Sequence, residues 1–195
     1  MTTRILTAIA AVGVACTATG CHQSGPAADF EAAHQEATSV EVVDPGDFQN
    51  ELDAAAAACP HLLTPQRIST SIETFSGWRL DQVTSAGIRG LAQLPDDQFA
   101  THAPPGSDPD DPRAAITAIA GRMCEIGTEL TAPFDRGQLQ LQDWASTGKD
   151  LDRTAEFVAL VVAGVMAGPQ YVIDHGGASV RDPDSSDAMI RVMYA

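Results

Sequence analysis

The chain has 195 residues, enough for one domain with a real core plus some non-domain sequence. Its formal net charge of −15, from 26 acidic and 11 basic residues, makes nucleic acid and anionic lipid surfaces poor partners, because both need clustered Lys and Arg. Glycans are not excluded, since hydrogen bonds and stacking bind them, and the ordinary meaning of such a charge is solubility.

Arg4 precedes the apolar run Ile5 to Ala15, which is too short for a bilayer span of about 20 residues. Small residues Ala18-Thr19-Gly20 then lead into Cys21. This is the pattern of a secretory signal, and it resembles the signals of bacterial lipoproteins. The resemblance implies a signal peptide over residues 1–20, acylation of Cys21, and a protein anchored by lipid to the outer face of the cell membrane, where two or more acyl chains hold firmly. Ordinary secretion with cleavage near the same place is the alternative. Residues 21–46 are mostly Ser, Gly, Pro, Ala and acidic, interrupted by Phe30 and Val40 to Val43, and read as a tether with a typical span of roughly 25–30 Å if fully flexible.

From residue 47 to 195 the pattern is that of an all-α domain. A short helix is expected over Asp47 to Ala58. The next begins at Thr64, a suitable N-cap, with Pro65 at the first helical position. Ile68, Ile72 and Phe75 continue it as one apolar stripe, and Gly77 stops it. A Gly-punctuated loop from Ser85 to Leu94 feeds a short helix over Pro95 to Thr101. The Pro/Gly/Asp loop His102 to Asp111 follows. Its run Ser107-Asp108-Pro109-Asp110-Asp111 lacks the spacing and the distal Glu of an EF-hand, so no metal is expected.

Helices are then predicted over Pro112 to Leu130, Gly137 to Ser146, and from Asp150 onward. The run Phe157 to Gly168 is apolar on all sides and is expected at the centre of the domain. A last amphipathic piece spans Asp187 to Tyr194.

Two segments carry a family resemblance. Phe75-Ser76-Gly77-Trp78, followed by Thr84-Ser85-Ala86-Gly87-Ile88-Arg89-Gly90-Leu91-Ala92-Gln93-Leu94-Pro95, resembles the transglycosylase SLT domain, the lysozyme-like fold of lytic transglycosylases that cut peptidoglycan glycan strands. The family pattern runs Glu-Ser-Gly-aromatic, then Ser-x-Ala-Gly-Ala-x-Gly-Leu-x-Gln-x-x-Pro. The segment Ala163-Gly164-Val165-Met166-Ala167-Gly168-Pro169 is similar to the family's Ala-Tyr-Asn-Ala-Gly-Pro, whose Tyr and Asn face the glycan. Phe75 therefore stands at the catalytic Glu position, and Val165 and Met166 stand where the polar pair belongs.

With Cys16 leaving in the signal peptide and Cys21 lipidated, Cys59 and Cys124 are the pair expected to be bonded. Secreted members of the family look similar there, with Cys-Pro before the first core helix and a Cys after Asp-Pro-x-x-Ala-Ile. The chain has Cys59-Pro60, then Asp111-Pro112-Arg113-Ala114-Ala115-Ile116, then Cys124.

A lytic transglycosylase, as the resemblance implies, works with one carboxyl group that protonates the glycosidic oxygen and then accepts a proton from the sugar's C6 hydroxyl. Acid–base assistance is worth about 10²–10⁴ in rate, and a phenyl ring at position 75 supplies none. The expected function is therefore binding of peptidoglycan glycan or an envelope protein partner without cleavage, with no cofactor. Ser76, Trp78 and Gln93 are the candidate glycan contacts. The local alternatives are helix-end and turn hydrogen bonding for Ser76 and Gln93, and a core plug for Trp78.

One competing reading is an active enzyme with a relocated acid. Its candidates are Glu73, Asp81, Asp96, Asp97, Glu125 and Glu129, of which Glu73 is about 200° of helix rotation away from Phe75. The other is a structural envelope lipoprotein whose cleft is closed by Phe75, Val165 and Met166. The histidines His22, His34, His61, His102 and His175 are not at ligand spacing. Asp174-His175 reads as surface loop rather than part of a triad.

Overall fold

The computed structural model describes residues 41–84, 87–147 and 150–181, together with Met189 and Val192. The expected signal peptide, Cys21, the expected tether up to residue 40, Ser85 and Ala86, and most of the expected helix from Asp187 to Tyr194 lie outside the described residues.

Six α-helices are found among these: α1 (Gln49–Ala57), α2 (Pro65–Ser76), α3 (Asp96–His102), α4 (Pro112–Asp135), α5 (Arg153–Ala167) and α6 (Pro169–Asp174). The predominantly helical class agrees with expectation, with one exception. Two short strands, β1 (Gln140–Gln142) and β2 (Gly177–Ser179), pair in parallel with Leu141 opposite Ala178. A parallel pair needs a crossover connection, and here α5 and α6 supply it.

The helix expected over Gly137 to Ser146 is thus replaced by β1 and a 3-10 turn at Trp144–Thr147. Leu139 and Leu141 are buried while Gln140 between them is exposed. That alternation has the period of a strand, not of a helix.

Helix α4 is the axis of the domain, about 36 Å long at 1.5 Å per residue. It packs against α1, α2, α3, α5 and α6. Its buried face is rich in small residues, Ala114, Ala115, Ala118 and Ala120, interleaved with Ile116, Ile119, Met123, Ile126 and Leu130. Helix α5 lies against it, buried from Val158 to Gly164. The burial expected over all of Phe157 to Gly168 gives out at Val165 to Ala167, where the helix meets the surface.

Helix α2 forms as its caps dictate. Thr64 Oγ1 accepts from the Arg67 amide at 3.1 Å, Ile68 and Ile72 are buried, and Gly77 ends the helix in the left-handed conformation with its amide bonded to the Glu73 carbonyl. The Cys59–Cys124 disulfide ties the turn before α2 to the middle of α4 across 65 residues of sequence.

The end of the stretch read as tether belongs to the domain. Val43 donates its amide to the Trp78 carbonyl at 2.8 Å, Leu80 donates to the Glu41 carbonyl at 3.1 Å, and Val42 and Arg79 form an antiparallel bridge. Asp44 then caps a 3-10 turn over Pro45–Phe48 that leads into α1.

Candidate functional site

The last turn of α2, the loop after it, α3, α4 and the end of α5 surround a groove of about 300 Å³. Phe75 enters it from α2, half-buried. Val165 and Met166 enter from the C-terminal end of α5, with Met166 42% exposed. Helix α5 stops there because the Gly168 amide closes the last turn on the Gly164 carbonyl at 2.9 Å and Pro169 follows. Phe75, which the resemblance sets at the family's Glu, and Val165 and Met166, which it sets at the polar pair, thus share one groove, which they line rather than fill.

Ile88, Gln93 and Pro95 form the loop wall. Gly90, at φ +82°, holds this loop in place: a Cβ there would lie 2.3 Å from the Pro109 carbonyl oxygen, so only glycine fits. Gln93 is itself in the left-handed region, at φ +49°. Its side-chain amide donates to the Gly90 carbonyl at 2.6 Å and the Gln82 carbonyl at 3.1 Å. It fastens its own loop, and its Oε1 is buried without a hydrogen-bond partner among the described residues.

Two of the three candidate glycan contacts do not reach the groove. Ser76 is 4% exposed and donates its hydroxyl to the Ile72 carbonyl at 2.9 Å. Trp78 is 3% exposed. Its backbone at φ +58° turns the ring inward, where it stacks on Phe48 with centroids 6.4 Å apart and donates Nε1 to the Ser69 carbonyl at 3.3 Å. Of the two alternatives for Trp78, the ring is the core plug. Gln93 alone of the three lines the groove.

The polar floor comes from a residue that the sequence reading did not single out. Arg122 of α4 lines the groove with its side chain 12% exposed. It donates Nη1 to the carboxylate of Glu125 one turn later, and Glu125 also lies 3.1 Å from His102 Nε2 on α3. The hydrogen bond from Arg122 holds the Glu125 carboxyl below the usual carboxylate range against the opposing effect of burial, with the charges of Arg122 and His102 adding to it. An Arg three residues before a Glu, among the Ala and Ile of one helix, was the available signal.

Among the described residues that line the groove, none is an Asp or a Glu. Glu73 lines a separate hollow with Pro45 and Thr64, Asp81 pairs with Arg79 at 3.3 Å, and Asp96 lines another hollow beside Arg89. Asp97 and Glu129 are exposed elsewhere. The acidic run after Ser107 is held by Arg89, which lies 3.7 Å from Asp108 and 3.0 Å from Asp110.

Met166 and Ala167 also line a second, larger hollow of about 590 Å³, whose other walls are α6 and the two strands. Tyr171 and His175 stand in it, one turn apart. Asp174 does not orient His175; its carboxylate accepts from Gln170 at 2.7 Å.

No protein-family model matches the chain, and neither a curated protein nor a solved structure matches it.

Proposed function

We propose that this chain is an exported, lipid-anchored envelope protein whose domain is a degenerate transglycosylase SLT domain of lysozyme-like fold. It holds peptidoglycan glycan, or an envelope partner, in the groove at Phe75 without cutting it. The observation that carries this reading is the groove's chemistry: the residues that the resemblance sets at the family's catalytic and polar positions share one open hollow, and no carboxylate among the described residues lines it.

General acid catalysis needs a proton donor within about 2.6–3.2 Å of the bond to be broken. Glu125, the acid bonded to the groove residue Arg122, is shifted toward the ionised form, the wrong direction for a donor at neutral pH. The open groove likewise weighs against the structural reading with a closed cleft. Apolar walls with a few polar groups are the usual makeup of a binding site, and Gln93 and Arg122 supply those groups here.

The test is to incubate the purified protein with peptidoglycan, search for anhydro-muropeptides by mass spectrometry, and measure retention on insoluble sacculi. Retention without product is the expected result. Release of anhydro-muropeptides would overturn the reading in favour of an enzyme, and absence of retention would overturn glycan binding.

A further inference from the structure

The larger hollow holds an aromatic pair that the Phe75 groove does not use. Tyr171 and His175, at i and i+4 on and just after α6, stack with ring centroids 4.0 Å apart and planes 26° apart. Tyr171 is 46% exposed. A single exposed aromatic needs no explanation. This one lies in a concave wall and is stacked on an imidazole.

Two contacts hold His175 in place beside Tyr171. His175 Nδ1 lies 2.8 Å from the Tyr171 carbonyl oxygen, and the His175 carbonyl accepts from Gln142 Nε2 on β1 at 3.0 Å. The imidazole is thereby held beside the Tyr171 ring before any ligand arrives, which removes part of the entropic cost of binding.

The same hollow is lined by polar groups of three kinds. Gln142 offers an amide, Ser179 a hydroxyl and Arg181 a guanidinium. Ser179 donates to the Asp143 carboxylate at 2.9 Å, and Arg181 Nε lies 3.8 Å from the same carboxylate. A flat aromatic face beside short, fixed donors and acceptors suits a pyranose ring. Its C–H face lies on the aromatic plane, and its hydroxyl and acetamido groups reach the polar rim.

The hollow also shares Met166 and Ala167 with the Phe75 groove. Two adjoining hollows with a common wall suit a linear polymer better than a compact molecule.

We infer that the Tyr171–His175 stack is a second sugar platform, holding a pyranose ring of the same glycan strand that occupies the Phe75 groove. The inference rests on the glycan-binding reading above and adds to it a separate station with its own residues.

The experiment compares the wild-type protein with Tyr171→Ala, Tyr171→Phe and His175→Ala for retention on peptidoglycan sacculi. It also follows the ring proton signals of Tyr171 and His175 by NMR as a soluble β-1,4-linked N-acetylglucosamine tetramer is added to the wild type. Tyr171→Ala is expected to weaken retention about tenfold and Tyr171→Phe less than about twofold, since the phenyl face persists, and the two rings are expected to shift on titration. If the wild type is retained while both alanine variants bind equally well and neither ring shifts, the platform is wrong and the Phe75 groove reading stands. If the wild type is not retained, both fall. The wild-type titration needs no variant, so a folding defect in Tyr171→Ala leaves the inference testable.

Discussion

A Cβ placed on Gly177 would lie 1.8 Å from the carbonyl oxygen of Gln140. The two residues face each other in the parallel register of β2 and β1, and Gly177 sits at φ +132°, a backbone conformation open only to glycine. Gly177→Ala is therefore expected to cost roughly 1–3 kcal/mol from backbone strain alone, with the overlap adding to it. Urea denaturation of the variant checks this, and an unchanged midpoint would mean the strands separate without loss.

Trp78 should behave as part of the core. Its ring is buried against Phe48, so Trp78→Ala is expected to lose about 3–5 kcal/mol of stability. Trp78→Phe keeps the contact with Phe48 but loses the hydrogen bond to Ser69, a smaller loss of about 1 kcal/mol. Sacculus retention by Trp78→Phe should equal that of the wild type; a clear drop would restore Trp78 as a ligand contact.

The disulfide closes a loop of 65 residues. In the chain-entropy account that is worth about 4 kcal/mol. Removing it with Cys59→Ser and Cys124→Ser together should lower the urea midpoint strongly, and a reducing agent should produce the same shift in the wild type. Equal midpoints with and without the bond would contradict the assignment.

Acid should destabilise the domain partly through Glu125 and Glu51, both held below the usual carboxylate value of 4.5. For Glu51 the main cause is its hydrogen bond from Arg113. A carboxyl with a depressed folded pKa adds stability above its unfolded pKa, and that stability is lost as pH falls through the folded value. Glu125→Gln should thus be slightly less stable than the wild type near pH 7, by less than about 1 kcal/mol because the Glu125 carboxylate faces solvent. Between about pH 4.5 and pH 3 its stability should fall less steeply. Denaturation midpoints across that range test the slope, and parallel curves would refute it.

Placing at position 75 the Glu that the proposed SLT relationship calls for is expected to give no enzyme. A carboxylate introduced by Phe75→Glu would share its groove with the Arg122 guanidinium, and a nearby cation lowers a carboxyl pKa when a general acid needs it raised. Val165 and Met166 would also remain in place of polar neighbours. Anhydro-muropeptides released by this single variant would show that one residue had been enough.

Where the local sequence contains the whole physical cause, reading it succeeds. Thr64, Pro65 and Gly77 specify both ends of α2, and Asp111 and Pro112 the start of α4. The bond between Cys59 and Cys124 formed as expected. The region from Gly137 to Ser146 was misread because its partner is β2, more than thirty residues later; nothing local says that Gly177 will lie beside Gln140. Trp78 follows the same rule, since its burial depends on Phe48 and on a left-handed backbone at a residue other than glycine. At the site, the motif brought Phe75, Gln93, Val165 and Met166 to one groove. It was silent on Arg122, which comes from a helix outside the motif.

The pairing of Glu41 and Val43 with Trp78 and Leu80 has a mechanical side. Tension arriving along the chain from before residue 41 meets two backbone hydrogen bonds first, and behind them the buried indole and the end of α2. A pull on residue 41 would be felt at the last turn of the helix that carries Phe75, so load on this end of the domain and the shape of the groove are joined by a few residues of backbone.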